Sequence, residues 1–147
     1  MMYLSKRYYP FQEAFLSNRK LPDYRLKQKI LYLDSTNPDD LIHYGDLFLE
    51  AGACSDALDF FQKANHNKGI QKIKNIAFDS GDVMLFQRAA KALKLELPSL
   101  DWENIGKKAI ELKKYFFARH ALEKTNNEEM LNSLKNIMKA EELEKSS

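Results

Sequence analysis

Three histidines, a single cysteine and the carboxylate pairs Asp39-Asp40 and Glu128-Glu129 are the residues of this 147-residue chain whose types invite chemistry. His43, His66 and His120 are far apart, form no His-x-x-x-His pair and have no cysteine beside them. Zinc needs about four nitrogen or sulfur ligands converging from short spacings, so no metal site is expected. Surface or half-buried histidines are expected instead, with His43 as a hydrogen-bonding contact. Cys54 falls near a helix start, where the helix dipole can depress a thiol pKa, yet packing or capping is the expected role. One cysteine permits no intramolecular disulfide and no thiolate cluster, and this fits a reducing cytoplasm. Asp39-Asp40 and Glu128-Glu129 stand where helices begin, a position that favours negative charge without any catalytic role. No phosphate-binding glycine loop, Gly-x-Ser-x-Gly elbow or His-Glu-x-x-His motif occurs. The residues therefore predict no enzyme, no metal and no cofactor.

The densest positive cluster is Lys107, Lys108, Lys113, Lys114 and Arg119. Helical spacing spreads it around the helix, and Glu103 and Glu111 interrupt it. RNA or DNA binding through the basic surface of residues 67–126 is the alternative reading, and nucleic acid is not the expected partner. A net charge of +2 and a pI of about 8.5 point to neither nucleic acid nor an anionic membrane. Net charge alternates along the chain, +4 over residues 1–36, −5 over 37–66, +5 over 67–126 and −2 over 127–147, which suits either compensating neighbours or a dipolar ligand.

The elements that carry these residues are helices. Five glycines and four prolines are few for this length, and apolar residues recur at three- and four-residue spacing with almost no strict alternation. The spacing predicts helices at about 6–19, 22–34, 39–51, 54–66, 69–80, 82–95, 99–113, 115–125 and 128–144. Pro22-Asp23, residues 35–40, Ser99 and Asn126-Asn127 are start signals, and Gly52, Gly69 and Gly81 are stop signals. A 44% hydrophobic content builds one domain of residues 1–147. No run approaches the roughly 20 apolar residues of a membrane span, so neither a membrane segment nor a signal peptide is expected.

Two helices approach closely only where a small residue sits at the crossing. Leu41-x-x-Tyr44-Gly45-x-x-Phe48, then Ala57-x-x-x-Phe61-x-x-Ala64, supplies this once, and Trp102-x-x-Ile105-Gly106-x-x-Ala109, then Ala118 and Leu122, supplies it again. Between them Ile70, Ile73, Ala77, Phe86, Ala90 and Leu93 form a degenerate copy with Lys74 at the small position, which predicts a looser or shifted crossing. Tyr115-Phe116-Phe117 is expected in the core of the last pair. Phe11, Ala14, Phe15, Leu26, Ile30 and Leu33 suggest a further copy, whose aromatic first helix, with Tyr8 and Tyr9 beside Lys6 and Arg7, is expected to pack in the core or join a homodimer.

At these residues the chain resembles tetratricopeptide repeats, with units at about 6–38, 38–66, 67–97 and 99–126 and a capping helix at about 128–144. The resemblance implies an all-α fold, a short right-handed α-solenoid of about four antiparallel helical hairpins. It also implies a protein–protein interaction scaffold, an adaptor or a chaperone-like protein, binding a peptide or partner helix in a concave groove. Partner-binding residues carried over are Ile42, His43, Asp46 and Leu49, then Lys72, Asn75 and Phe78, then Lys107 and Ile110. Asp39, Glu50, Lys68, Gln71, Asp79, Glu103, Asn104 and Glu111 share that face. Ile42 and Asp46 stand where some family members place the lysine and asparagine of a carboxylate clamp, so a complete clamp is not expected. Lys72, Asn75 and Lys107 are expected to suit a single acidic side chain.

Overall fold

The computed structural model describes residues 21–33 and 35–146, and the expected helix at about 6–19, with its aromatic residues, lies outside them. Among the described residues there are eight α-helices and no strand, so the fold is all-α. They are α1 (Tyr24–Gln28), continued by a π-helical turn (Lys29–Leu33), α2 (Pro38–Glu50), α3 (Cys54–Lys63), α4 (Asn67–Asp79), α5 (Val83–Ala92), α6 (Ser99–Glu111), α7 (Tyr115–Glu123) and α8 (Glu128–Ser146). The expected continuous helix at 22–34 is thus a short α-helix and a wider turn, which Thr36 closes by donating its hydroxyl to the Ile30 carbonyl at 3.0 Å.

Short polar side chains start several helices. Asp23 accepts the Leu26 N–H at 2.9 Å, Asn37 the Asp40 N–H at 2.9 Å, Asp82 the Leu85 N–H at 3.1 Å and Asn127 the Met130 N–H at 3.0 Å. Ser99 caps nothing: Pro98 is the extended residue before α6, and Ser99 is its first helical residue.

The helices α2 to α6 all end on one backbone turn. A residue with φ between 54° and 79° (Gly52, Asn65, Gly81, Lys94, Lys113) donates its N–H three residues back, and the next residue donates five back, at 2.8–3.1 Å. Gly69 is not a stop. It is a buried residue in the first turn of α4, Asn65 takes the left-handed position, and a Cβ on Gly69 would lie 2.6 Å from the Phe61 ring.

The chain divides into two compact units, with the boundary at Ile70–Gln71 inside α4. In the first, α2 packs on α3 through an aromatic stack, Phe60 lying 5.7 Å from Tyr44 and 5.3 Å from Phe48 between ring centroids. Gly45 gives Phe61 room: a Cβ there would come within 2.7 Å of Phe61 Cδ1. The buried Lys27 of α1 reaches Asp56 and Asp59 on α3, each at 2.7 Å. Burial alone would push its ammonium pKa down, but the two carboxylates more than offset this and hold it above 10.5.

In the second unit α6 packs on α7, and α7 packs on α5 and α8. The core comprises Ile73, Ala77, Phe86, Trp102, Ile105, Ala109, Ala118, Leu122 and, from α8, Leu134. Leu122 fills the space that Gly106 leaves, since a Cβ there would sit 2.9 Å from Leu122 Cδ2. Tyr115-Phe116-Phe117 is not core. Phe116 is 73% exposed and its neighbours are half-buried, because α7 turns the small Ala118 and Ala121 inward. The crossing expected to shift around Lys74 keeps Ile73 and Ala77 fully buried, and Lys74 is half-buried with its ammonium 5.3 Å above the Phe86 ring.

Two stability measurements follow. Gly45→Ala lowers unfolding free energy by about 1–3 kcal/mol, because overpacking against a buried ring outweighs the roughly 1 kcal/mol helix preference of alanine. Equal or higher stability in urea titration would mean that Phe61 shifts freely. Lys27→Met costs about 1–2 kcal/mol at neutral pH, a buried-pair loss reduced by the partial exposure of both carboxylates. Since the folded pKa is raised, the parent holds this stabilisation below 10.5 and loses it as pH rises through the folded value; parent and variant curves should therefore converge at high pH.

Candidate functional site

Because Ile73 and Ala77 point into the core, the residues beside them on α4 emerge along its flank; Trp102, Ile105 and Ala109 do the same for α6. Between these flanks lies a depression of about 430 Å³, lined by Lys74, Asn75, Phe78 and Asp79 of α4, Phe86 of α5, and Asp101 and Asn104 of α6. Its floor is aromatic. Phe78 is half-buried and Phe86 buried, their rings tilted by 53° with centroids 6.1 Å apart. Gln71 donates its side-chain amide to Asn75 Oδ1 at 3.0 Å, which orients the Asn75 amide. Asp79 and Asp101 form no ion pair or side-chain hydrogen bond among the described residues.

Asn75 and Phe78, and from the same expected face Asp79 and Asn104, meet in this depression. Lys72, Lys107 and Ile110 sit on the same helices but outside its lining, the two lysines exposed and Ile110 half-buried. Lys74, Phe86 and Asp101 belong to the site and were not among the expected contacts. Asp101 stands one turn before Asn104, so helical spacing alone was enough to include it. The position of Lys74 depends on the Phe86 ring, which no local pattern announces.

In the first unit Ile42, His43, Asp46 and Leu49 share a face of α2, with Leu41, Tyr44, Gly45 and Phe48 buried on the other. Ile42, His43 and Leu49 are half-buried and Asp46 is exposed. Burial lowers the His43 pKa below 6.5, against the opposing pull of Asp46, Asp40 and Glu50.

Other candidates are dispersed. Among the described residues no group of three or more His, Cys, Asp and Glu is placed to hold a metal ion. His66 packs on Phe61 with centroids 5.2 Å apart, and His120 Nε2 is 3.1 Å from Gln87 Oε1. Cys54 opens α3, half-buried. Members of the basic cluster have partners of their own. Lys108 pairs with Glu111 at 3.7 Å, Lys114 donates to the Ser80 carbonyl, and Arg119 lies 5.4 Å above the Phe116 ring. A larger cavity of about 690 Å³ lies between the start of α7 and the end of α8, where Tyr115 donates to Glu141 at 3.1 Å; it contains none of the expected contacts.

No family model, no curated protein and no solved structure matches this chain. No helix among the described residues is long and apolar enough to cross a membrane.

His43 is expected to titrate below the ordinary histidine value of 6.5 in a proton NMR pH series. A depressed folded pKa makes its contribution to stability complete above 6.5 and lost as pH falls through the folded value, so His43→Gln should flatten the acid limb of the stability curve. A His43 pKa at or above 6.5 would refute the burial argument.

Proposed function

We propose that this protein is a non-enzymatic, tetratricopeptide-like scaffold that binds a peptide segment or partner helix of another protein. On this reading α2 with α3, α4 with α5, and α6 with α7 are antiparallel hairpins of a short right-handed solenoid, and α8 is its cap. The observation that carries the proposal is the depression flanked by α4 and α6, the first helices of two successive pairs. Its aromatic floor offers apolar burial, and its amides and carboxylates offer hydrogen bonds to an extended backbone and to side chains. The exposed face of α2 at Ile42, His43, Asp46 and Leu49 is the corresponding contact surface of the first unit. Binding needs no covalent step, so function lies in holding a partner, as an adaptor or a chaperone does.

Co-purification from the native host tests this with an Asn75→Ala/Phe78→Ala double variant beside the parent. Both residues lie outside the fully buried core, and matched melting curves would show that the variant is folded. A defined protein retained by the parent should be lost or weakened about tenfold or more, corresponding to at least about 1.4 kcal/mol. Retention of the same proteins by both forms removes the depression from the binding surface. Retention of nucleic acid alone, falling steeply with salt, replaces the reading with nucleic-acid binding.

A further inference from the structure

We infer that the depression between α4 and α6 selects an arginine side chain from the bound segment, an inference that rests on the peptide-binding reading. Its lining carries Lys74 against Asp79 and Asp101. The Lys74 ammonium is committed to the face of Phe86 at 5.3 Å, whereas the two carboxylates have no ion-pair partner among the described residues. The site therefore presents net negative charge beside the half-buried Phe78, an aromatic ring whose face attracts cations. An incoming carboxylate would meet two like charges and that negative ring face.

Asp79 strengthens the argument. It is the last residue of α4, where the carbonyl end of the helix disfavours a negative charge. A cation bound there offsets the local repulsion, so binding energy is available that the unliganded protein does not realise. Arginine fits better than lysine. A planar guanidinium offers five donors to carboxylate and amide oxygens, stacks on a ring such as the half-buried Phe78, and loses its hydration more readily than a compact ammonium. Lys72 and Lys107 are exposed one turn beyond the site on α4 and α6. They oppose a run of basic residues, so the structure favours a lone arginine with neutral or acidic neighbours.

The test uses blocked tripeptides Ala-Arg-Ala, Ala-Glu-Ala and Ala-Leu-Ala titrated into the full chain and followed by amide NMR. Ala-Arg-Ala should shift the Asn75, Phe78 and Asn104 signals saturably, with the other two peptides at least about tenfold weaker. Asp79→Asn/Asp101→Asn should remove that preference while leaving the melting temperature close to the parent's, since neither carboxylate has a side-chain partner to lose. Equal binding by Ala-Leu-Ala or tighter binding by Ala-Glu-Ala overturns the arginine preference and leaves peptide binding standing. Shifts that persist unchanged in the double variant, or no shift with any peptide, likewise overturn it. Peptide binding is judged separately, by the co-purification with Asn75→Ala/Phe78→Ala.

Discussion

Five successive helices finish on a left-handed residue that, together with the residue after it, returns two N–H groups to the last turn. This turn satisfies carbonyls that the helix end leaves without partners and sends the chain out after only three residues in four of the five cases. With so little chain between them, successive helices must find their apolar partners close by. The exception follows α5, where residues 93–98 lengthen the link and Pro98 precedes the next helix. Two of the five positions are glycine; Asn65, Lys94 and Lys113 adopt the same conformation against the ordinary preference of residues with a Cβ. All three are exposed, and the two backbone hydrogen bonds of the turn offset that cost.

Within that constraint, close approach depends on which side chain fills the space above a small residue. Phe61 does so for Gly45 and Gly69, and Leu122 does so for Gly106. A ring and a branched aliphatic side chain leave different freedom to adjust, so equivalent glycines in the two units do not tolerate the same substitutions. The first unit adds a different device. Lys27 is anchored between Asp56 and Asp59, tying the short α1 to α3 where α1 has few residues to bury. Two carboxylates around one ammonium make a directional tie that apolar contact would not supply.

The helical plan was largely legible. Spacing of Leu41, Tyr44 and Phe48, and of Trp102, Ile105 and Ala109, marked the buried faces, and all six are buried. Helix ends read from glycine alone were less secure, because Gly69 serves close packing instead of a stop and Lys94 and Lys113 end helices without being glycine. The candidate site was half legible. Asn75, Phe78, Asp79 and Asn104 were expected on one face, since helical periodicity sorts buried from exposed positions within a helix. Lys74 and Phe86 were not, because the cation above the ring joins residues from different helices.

What the sequence by itself determined is what depends on near neighbours: helix content, most helix boundaries, the inward face of most described helices and the absence of recognised catalytic motifs. Those features follow from backbone hydrogen bonding and from periodicities of three and four residues. Only the tertiary structure decided which outward residues converge. It brought Asp101 to the same depression as Asp79, committed Lys74 to Phe86, and left Lys72 and Lys107 outside the depression. Periodicity fixes the angle of a side chain about its own helix, whereas the charge of a recognition site depends on how the flanks of two helices face each other.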